Sequence, residues 1–125
     1  MEKVVTRTAE ISLIEDGIIK VKYHADADVD IKDMQMNIDE SMKLTGGKSH
    51  TALLDARGFV TMSEKALKYG ATEEMLMYRT ATALLTDSLA VRLTGNFFNI
   101  FLKPKLKSKI FTNEKDAIQW LRDIT

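Results

Sequence analysis

The chain has 125 residues, and its eighteen basic and eighteen acidic side chains cancel to a net charge of zero. This balance provides no overall field to attract nucleic acid or an anionic membrane. The sequence contains no cysteine, which excludes disulfides, thiolate nucleophiles and cysteine-ligated metals. The first residues lack a signal-peptide core, and no run reaches the roughly 20 apolar residues of a membrane span. We expect one soluble, cytoplasmic domain.

The first two predicted strands form a hairpin. Residues 4–14 and 18–23 alternate between apolar and polar side chains, and Asp16-Gly17 lies between them. This dipeptide is typical of tight hairpin turns because glycine tolerates positive φ. One face of the hairpin is mainly apolar and the other polar. A sheet of this kind is expected to have its helices on one face only.

A capped helix follows the hairpin. The loop HADADVD supplies three aspartates that can cap a helix N-terminus, and Gly46-Gly47 is a typical helix end. The alternating aspartates resemble a calcium loop but lack its glycine and its distal glutamate, so capping is the better interpretation. The predicted buried stripe, spaced by three and four residues, contains Ile31, Met34, Ile38, Met42 and Thr45.

The middle of the chain predicts two more strands with short helices between them. Residues 51–56 are apolar, and Arg57-Gly58-Phe59 makes a turn after them. Thr61-Met62-Ser63-Glu64 fits a capping box for a helix that ends near Gly70, and a second helix covers 72–78. Residues 80–86 alternate threonine with alanine, which indicates a solvated face and a face packed under a helix.

The alternation of strands and helices predicts the fold class. Parallel neighbouring strands need a crossover connection, and a helix is the usual one. The sequence therefore predicts an α/β domain with a mixed, mostly parallel five-stranded sheet, an N-terminal hairpin and helices on one face. The fifth strand is expected at 107–111.

The helix predicted at 88–102 has more apolar side chains than one packing stripe requires. Leu89, Leu93, Phe97 and Ile100 form an inward stripe. Further apolar residues widen it, and they either belong to a well-buried helix or form a partner surface or the wall of an apolar groove. These residues are Val91, Phe98, Phe101 and Leu102.

The end of the chain predicts a basic segment and a terminal helix. Pro104 ends the preceding helix, and lysines at 103, 105, 107 and 109 lead into the last strand. Such lysines are typical of a solvated edge strand, with phosphate binding as the alternative. The terminal helix is expected to bury Ala117, Leu121 and Ile124.

The sequence contains none of the common catalytic motifs. GxGxxG, Walker A, GxSxG and HExxH are all absent. His24 and His50 are separated by a helix and are expected to be exposed or structurally bonded rather than to bind a metal. Asp55 and Asp87 follow strands, and Arg57 could pair with either of them. We therefore predict a protein that is not an enzyme and has no cofactor or metal.

The order of elements, with LLDARGF after the first crossover and the ending KIFTNEKDAIQWL, resembles the SpoIIAA-like (STAS) fold. The closest resemblance is to small bacterial proteins of this type, and it covers essentially the whole chain. In regulatory STAS proteins a phosphorylatable serine lies in an Asp-Ser-Ser-Gly-like loop. Here that loop reads Phe59-Val60-Thr61-Met62-Ser63-Glu64, and Ser63 is the nearest hydroxyl. The lipid-carrying SEC14-like proteins share the general topology and use an apolar groove.

Two functions follow from this resemblance and from the residues. The first is a non-enzymatic regulatory or protein-interaction module of STAS-like type, which binds a protein partner through Arg57, Thr61, Ser63 and Glu64. The alternative is a carrier of a small apolar or lipid-like ligand in a groove lined by residues 88–102. Uncovered apolar side chains of the same helix would also favour a homodimer about a two-fold axis.

Overall fold

The computed structural model describes residues 2–87, 100, 101, 103 and 106–124. Ile100 and Phe101 are helical. No helix within these ranges has the length and apolarity that crossing a bilayer requires. The other helices and strands, in chain order, are β1 (Lys3–Val5), β2 (Ala9–Glu15), β3 (Ile18–Tyr23), β4 (Asp28–Val29), α1 (Ile31–Thr45), β5 (His50–Asp55), β6 (Thr61–Met62), α2 (Glu64–Gly70), α3 (Glu73–Tyr78), β7 (Arg79–Leu85), β8 (Ser108–Phe111) and α4 (Glu114–Ile124).

The main sheet has six strands in the order β1-β2-β3-β5-β7-β8. The first three strands are antiparallel, and β3, β5, β7 and β8 are parallel to one another. Gly17 adopts the expected positive φ, at 83°, in the turn between β2 and β3. The predicted α/β fold, with a mixed, mostly parallel sheet and an N-terminal hairpin, is confirmed.

The sheet has six strands rather than the predicted five because the first segment is not continuous. The Thr6 N–H donates to the Ala9 carbonyl at 2.8 Å, and β1 folds back to pair with β2. The side chain of Asn37 on α1 holds this turn through hydrogen bonds with Thr6 and Thr8, at 2.8 and 3.1 Å. Alternation of apolar and polar residues continues through the turn, so the pattern alone does not reveal it.

The prediction that all helices lie on one face is wrong for the last helix. The helices α1, α2 and α3 pack on one face with Ile11, Val21, Leu54 and Leu84. The terminal helix α4 packs on the other face, which we call the α4 face. Its apolar residues on the sheet are Ile18, Leu53, Ala81, Ala83 and Leu85.

The central strand β5 explains this difference. All six of its residues are buried, and two consecutive residues of the strand, Leu53 and Leu54, belong to the cores on opposite faces. The alanines of β7 do lie under a helix, as predicted, but that helix is α4. A central parallel strand that is apolar on both sides requires cover on both sides, and the polar face predicted from the hairpin does not extend across the sheet.

The helix N-termini are capped by the residue types that the sequence offers. Asp30 caps α1 in a capping box with Asp33. Ser63 caps α2 and Thr72 caps α3. The predicted capping box beginning at Thr61 is wrong, because Thr61 belongs to β6. This strand pairs with β4 in a small parallel sheet that joins the segments preceding α1 and α2.

Candidate functional site

Arg57 lies in a group of ion pairs that joins two strands to α4. Its Nε and Nη2 donate to the two carboxylate oxygens of Asp55 at 3.0 and 2.8 Å. The same Nη2 donates to Glu114 at 3.0 Å. Lys20 on β3 lies 3.2 Å from Glu114 and 3.9 Å from Asp55. We call these four residues the Asp55 cluster.

The charge of Asp55 depends on these cations. Asp55 is only 1% exposed, and burial by itself would raise the pKa of a carboxyl group. The hydrogen bonds and charge of Arg57, with the charge of Lys20, outweigh burial and lower the pKa of Asp55. Of the two aspartates predicted as possible partners of Arg57, Asp55 is the one to which it is hydrogen-bonded. The arginine has a structural role, whatever else it does.

The other residues of the predicted partner site are also engaged within the chain. Thr61 Oγ1 donates to Asp28 at 3.3 Å. Ser63 Oγ accepts a hydrogen bond from the Ala66 N–H at 3.1 Å and donates to the Asp30 carboxylate at 2.8 Å. Glu64 is exposed and pairs with Lys68 at 3.3 Å. The four residues flank one loop but do not converge on a common point.

The surroundings of Ser63 favour a capping role over phosphorylation. Its hydroxyl donates to Asp30, and this hydrogen bond lowers the pKa of the Asp30 carboxyl group. A phosphate on Ser63 would place a second anion beside that carboxylate, where like charges repel.

Phe59 is the most conspicuous exposed residue of the same loop. Its backbone φ is 71°, in the left-handed region that side chains other than glycine seldom occupy. The residue is 48% exposed. The preceding carbonyl, of Gly58, accepts a hydrogen bond from the Asp26 N–H at 2.9 Å, which fixes the position of the loop. This ring is not one of the predicted partner-site residues.

A cavity of about 60 Å³ lies between β7 and the helices α2 and α3. Ile100 and Phe101 also line it, as do Leu106, Lys107 and Ser108. Most of the described wall is apolar, and its members include Met34, Leu54, Met62, Leu67, Leu76 and Leu84.

Arg79, the first residue of β7, also lines this cavity. It is only 9% exposed, and its Nε is a buried donor without a hydrogen-bond partner in the part of the chain that the structure describes. Burial lowers the pKa of its guanidinium. Buried arginine is ordinarily paired, so this side chain needs an explanation.

The predicted apolar site residues are only partly within the described ranges. Phe101 is 7% exposed and lines the cavity, so it does not lie on the exposed surface of this chain. Val91, Phe98 and Leu102 lie outside the described residues, as does most of the helix predicted at 88–102. The homodimer through this helix therefore stays a prediction.

The two histidines are bonded to backbone carbonyls, as expected. His24 Nε2 lies 3.1 Å from the Thr6 carbonyl, and His50 Nδ1 donates to the Lys48 carbonyl at 3.2 Å. Within the described ranges, no group of three or more His, Cys, Asp or Glu side chains could hold a metal ion.

Residues 12–125 match the family model described as "Domain of unknown function (DUF7793)". The chain belongs to this family. No curated protein matches it, and no solved structure does. The description of the DUF7793 family names no activity, so a proposal about this member depends on its own geometry.

Sequence reasoning missed the residue that distinguishes the cavity. Arg79 directly precedes the predicted strand 80–86, and an arginine at the start of a strand is usually solvated. Its burial follows from the packing of α2, α3 and Phe101 around β7, which no local pattern reveals.

Proposed function

We propose that this protein binds and carries a small, largely apolar molecule in the cavity beside β7. The observation that supports this proposal is the combination of apolar walls with a few polar groups, which is typical of small-molecule sites. Leu54, Leu67 and Phe101 represent the apolar wall, and Arg79 and Ser108 are among the polar groups.

The cavity is unusual for a space that serves packing alone. Protein interiors are close-packed, and an unfilled cavity reduces stability in proportion to its volume. A water molecule beside the leucine and methionine side chains would form few hydrogen bonds, and an ordered water needs several polar partners. A ligand with an apolar part would instead restore the contacts that the walls lack.

The test of this proposal is a substitution that fills the cavity with a larger side chain. Ala71 lines the cavity at the end of α2 with ordinary negative φ, so Ala71→Leu can place a larger side chain there. Ala25 is exposed in a loop elsewhere, and Ala25→Leu serves as the control. Native mass spectrometry should find a small-molecule adduct on the wild type and on Ala25→Leu, and little on Ala71→Leu. Equal adducts on all three proteins would place the ligand outside this cavity.

A second candidate function is the binding of a protein partner at the loop that contains Arg57, Thr61, Ser63 and Glu64, in a regulatory, STAS-like role. The observation that favours it is Phe59, an exposed aromatic ring on a backbone held at positive φ. Aromatic rings are enriched at the energetic centres of interfaces. Unusual backbone conformations that a fold maintains are found more often at functional sites.

Alanine at Arg57 or Ser63 would not test this second function cleanly, because both side chains stabilise the fold. Phe59→Ser removes the exposed ring, and Tyr78→Ser removes another exposed aromatic ring as a control. We expect a partner that binds wild type and Tyr78→Ser with equal affinity and Phe59→Ser at least about tenfold more weakly, as loss of an aromatic anchor implies. A partner that binds all three equally would contradict this function.

A further inference from the structure

We infer that the ligand of the cavity is a small organic anion, a short-chain monocarboxylate whose carboxylate pairs with the guanidinium of Arg79. This inference rests on the proposed small-molecule binding and specifies the chemistry of the molecule. It depends on three features of the site: the signs of its charges, the burial of the arginine and the size of the space.

The charges that line the cavity have one sign. Among the described lining residues, Arg79 and Lys107 carry a formal charge, and both are cations. No aspartate or glutamate is among these lining residues. Thr82 adds a hydroxyl group, whereas the hydroxyls of Ser108 and Thr80 already donate to backbone carbonyls. A cavity with two cations and no described acid favours an anionic group.

The two cations differ in their need for a partner. Lys107 is exposed, so water can solvate its ammonium group. Arg79 is buried, and its Nε has no hydrogen-bond partner among the described residues. The nearby ionisable groups that respond to its charge are Tyr23 and His50, neither of which is an anion at neutral pH. A buried charge without a partner is strongly destabilising.

A carboxylate meets this need with suitable geometry. The planar guanidinium donates two parallel hydrogen bonds to the two oxygens of a carboxylate, which gives both charge neutralisation and orientation. The apolar substituent of the acid would then contact side chains such as Leu54, Leu84 and Phe101. A fully hydrated inorganic anion would leave these walls without contacts.

The volume limits the length of the acid. A cavity needs a volume of about 10–15 Å³ to hold one water molecule. A cavity of about 60 Å³ therefore corresponds to roughly four such sites. This space suits a carboxylate with a short alkyl chain better than a long fatty acid.

The experiment compares two matched ligand series on the whole chain. The first contains the straight-chain carboxylates from acetate to hexanoate, and the second contains the alcohols of the same chain lengths. Affinities are measured by NMR titration of backbone amides for wild type, for Arg79→Met and, as the control, for Lys115→Met, at an exposed lysine of α4 that is not among the lining residues. Methionine keeps the length and apolar contacts of the replaced side chain, and replacing a buried charge by an apolar group is often tolerated.

We expect wild type and Lys115→Met to bind the best carboxylate about tenfold or more tightly than its alcohol, the ratio that charged hydrogen bonds imply. Arg79→Met should lose this preference and still bind the alcohol. Equal binding of acid and alcohol by wild type would overturn the anionic ligand and leave the proposed function intact. Binding of neither series would overturn both. A preference that persists in Arg79→Met, or that is lost in Lys115→Met, would overturn the assignment to Arg79.

A second measurement does not depend on the variant folding. The Nε–H resonance of Arg79 in wild type should shift on addition of the carboxylate and not on addition of the alcohol. The absence of such a shift at saturating carboxylate would overturn the pairing.

Discussion

Phe59 shows how a single residue can oppose the local backbone preference. Its φ of 71° places the Cβ where it crowds the following carbonyl oxygen, at a cost of about 1–2 kcal/mol for residues other than glycine. The hydrogen bond from Asp26 to Gly58 keeps the loop in this conformation. The strain and the exposed ring therefore occur at the same position.

We predict that Phe59→Gly is more stable than Phe59→Ala by about 1 kcal/mol, because both variants lose the ring but only glycine removes the backbone strain. Urea unfolding of the two variants measures this difference. The matched control is Gln119, an exposed residue in the middle of α4, where alanine should be more stable than glycine by about 1 kcal/mol. Equal stability of the two Phe59 variants would show that the native loop does not enforce positive φ.

Residues with a role in local structure could be predicted from the sequence, and residues defined by tertiary packing could not. Gly17 and the cap Asp30 act through their own turn or helix, so their residue type is informative. Arg79 and Phe59 gain their character from distant segments. Burial of an arginine and the φ of a phenylalanine have no local signal.

At the scale of whole elements, the Asp55 cluster connects α4 to the strands β3 and β5. Asp55 is buried where β5 ends, and Arg57 bonds both this carboxylate and Glu114 in the first turn of α4. Another ion pair of α4, between Arg122 and Glu15, is more exposed on both sides. The two ion pairs allow the stabilisation from a half-buried pair to be compared with that from a surface pair on the same helix.

We predict that Arg57→Ala lowers the free energy of unfolding by about 1–3 kcal/mol, because it removes the main partner of a buried carboxylate while Lys20 remains nearby. Arg122→Ala should have a smaller effect, since exposed ion pairs contribute little. Chemical unfolding at neutral pH measures both. The pKa of Asp55 should also rise in Arg57→Ala, which NMR titration can follow. Equal losses in the two variants would show that burial of Asp55 does not matter.

The elements themselves were largely predictable, and their placement was less so. The bounds of α1, α2 and α4 follow from caps and from apolar spacing. The side of the sheet on which α4 lies was not predicted correctly. The reason is that Leu53 and Leu54 are both apolar, and a strand with two apolar faces does not indicate which helix covers which face.

At the scale of the whole molecule, two cores on opposite faces share the central strands. The core under α1, α2 and α3 includes Met34 and Leu54, and the core under α4 includes Leu53 and Leu121. Unfolding of the sheet therefore exposes both cores together. A buried group on one central strand can affect the stability of the entire domain.

His50, at the start of β5, is such a group. It is 3% exposed, and burial together with the positive charge of Arg79 lowers its pKa from 6.5 to about 4. Its Nδ1–H donates to Lys48, while its Nε2 has no hydrogen-bond partner among the described residues. The folded protein thus holds a neutral imidazole that the unfolded chain would protonate below about pH 6.5.

The free energy of unfolding should consequently decrease as the pH is lowered from about 6.5 to about 4. Because the folded pKa is lower, the unfolded state binds more protons in this window, and the contribution of His50 is present above it and lost as pH decreases. The shift from 6.5 to about 4 corresponds to about 3 kcal/mol at most. We predict that His50→Asn, whose amide can still donate to Lys48, loses less stability than wild type over this window. Urea unfolding from pH 7 to pH 4 measures the difference, and carboxylates common to both proteins cancel in the comparison. Parallel stability curves for the two proteins would mean that His50 does not set the pH dependence of folding.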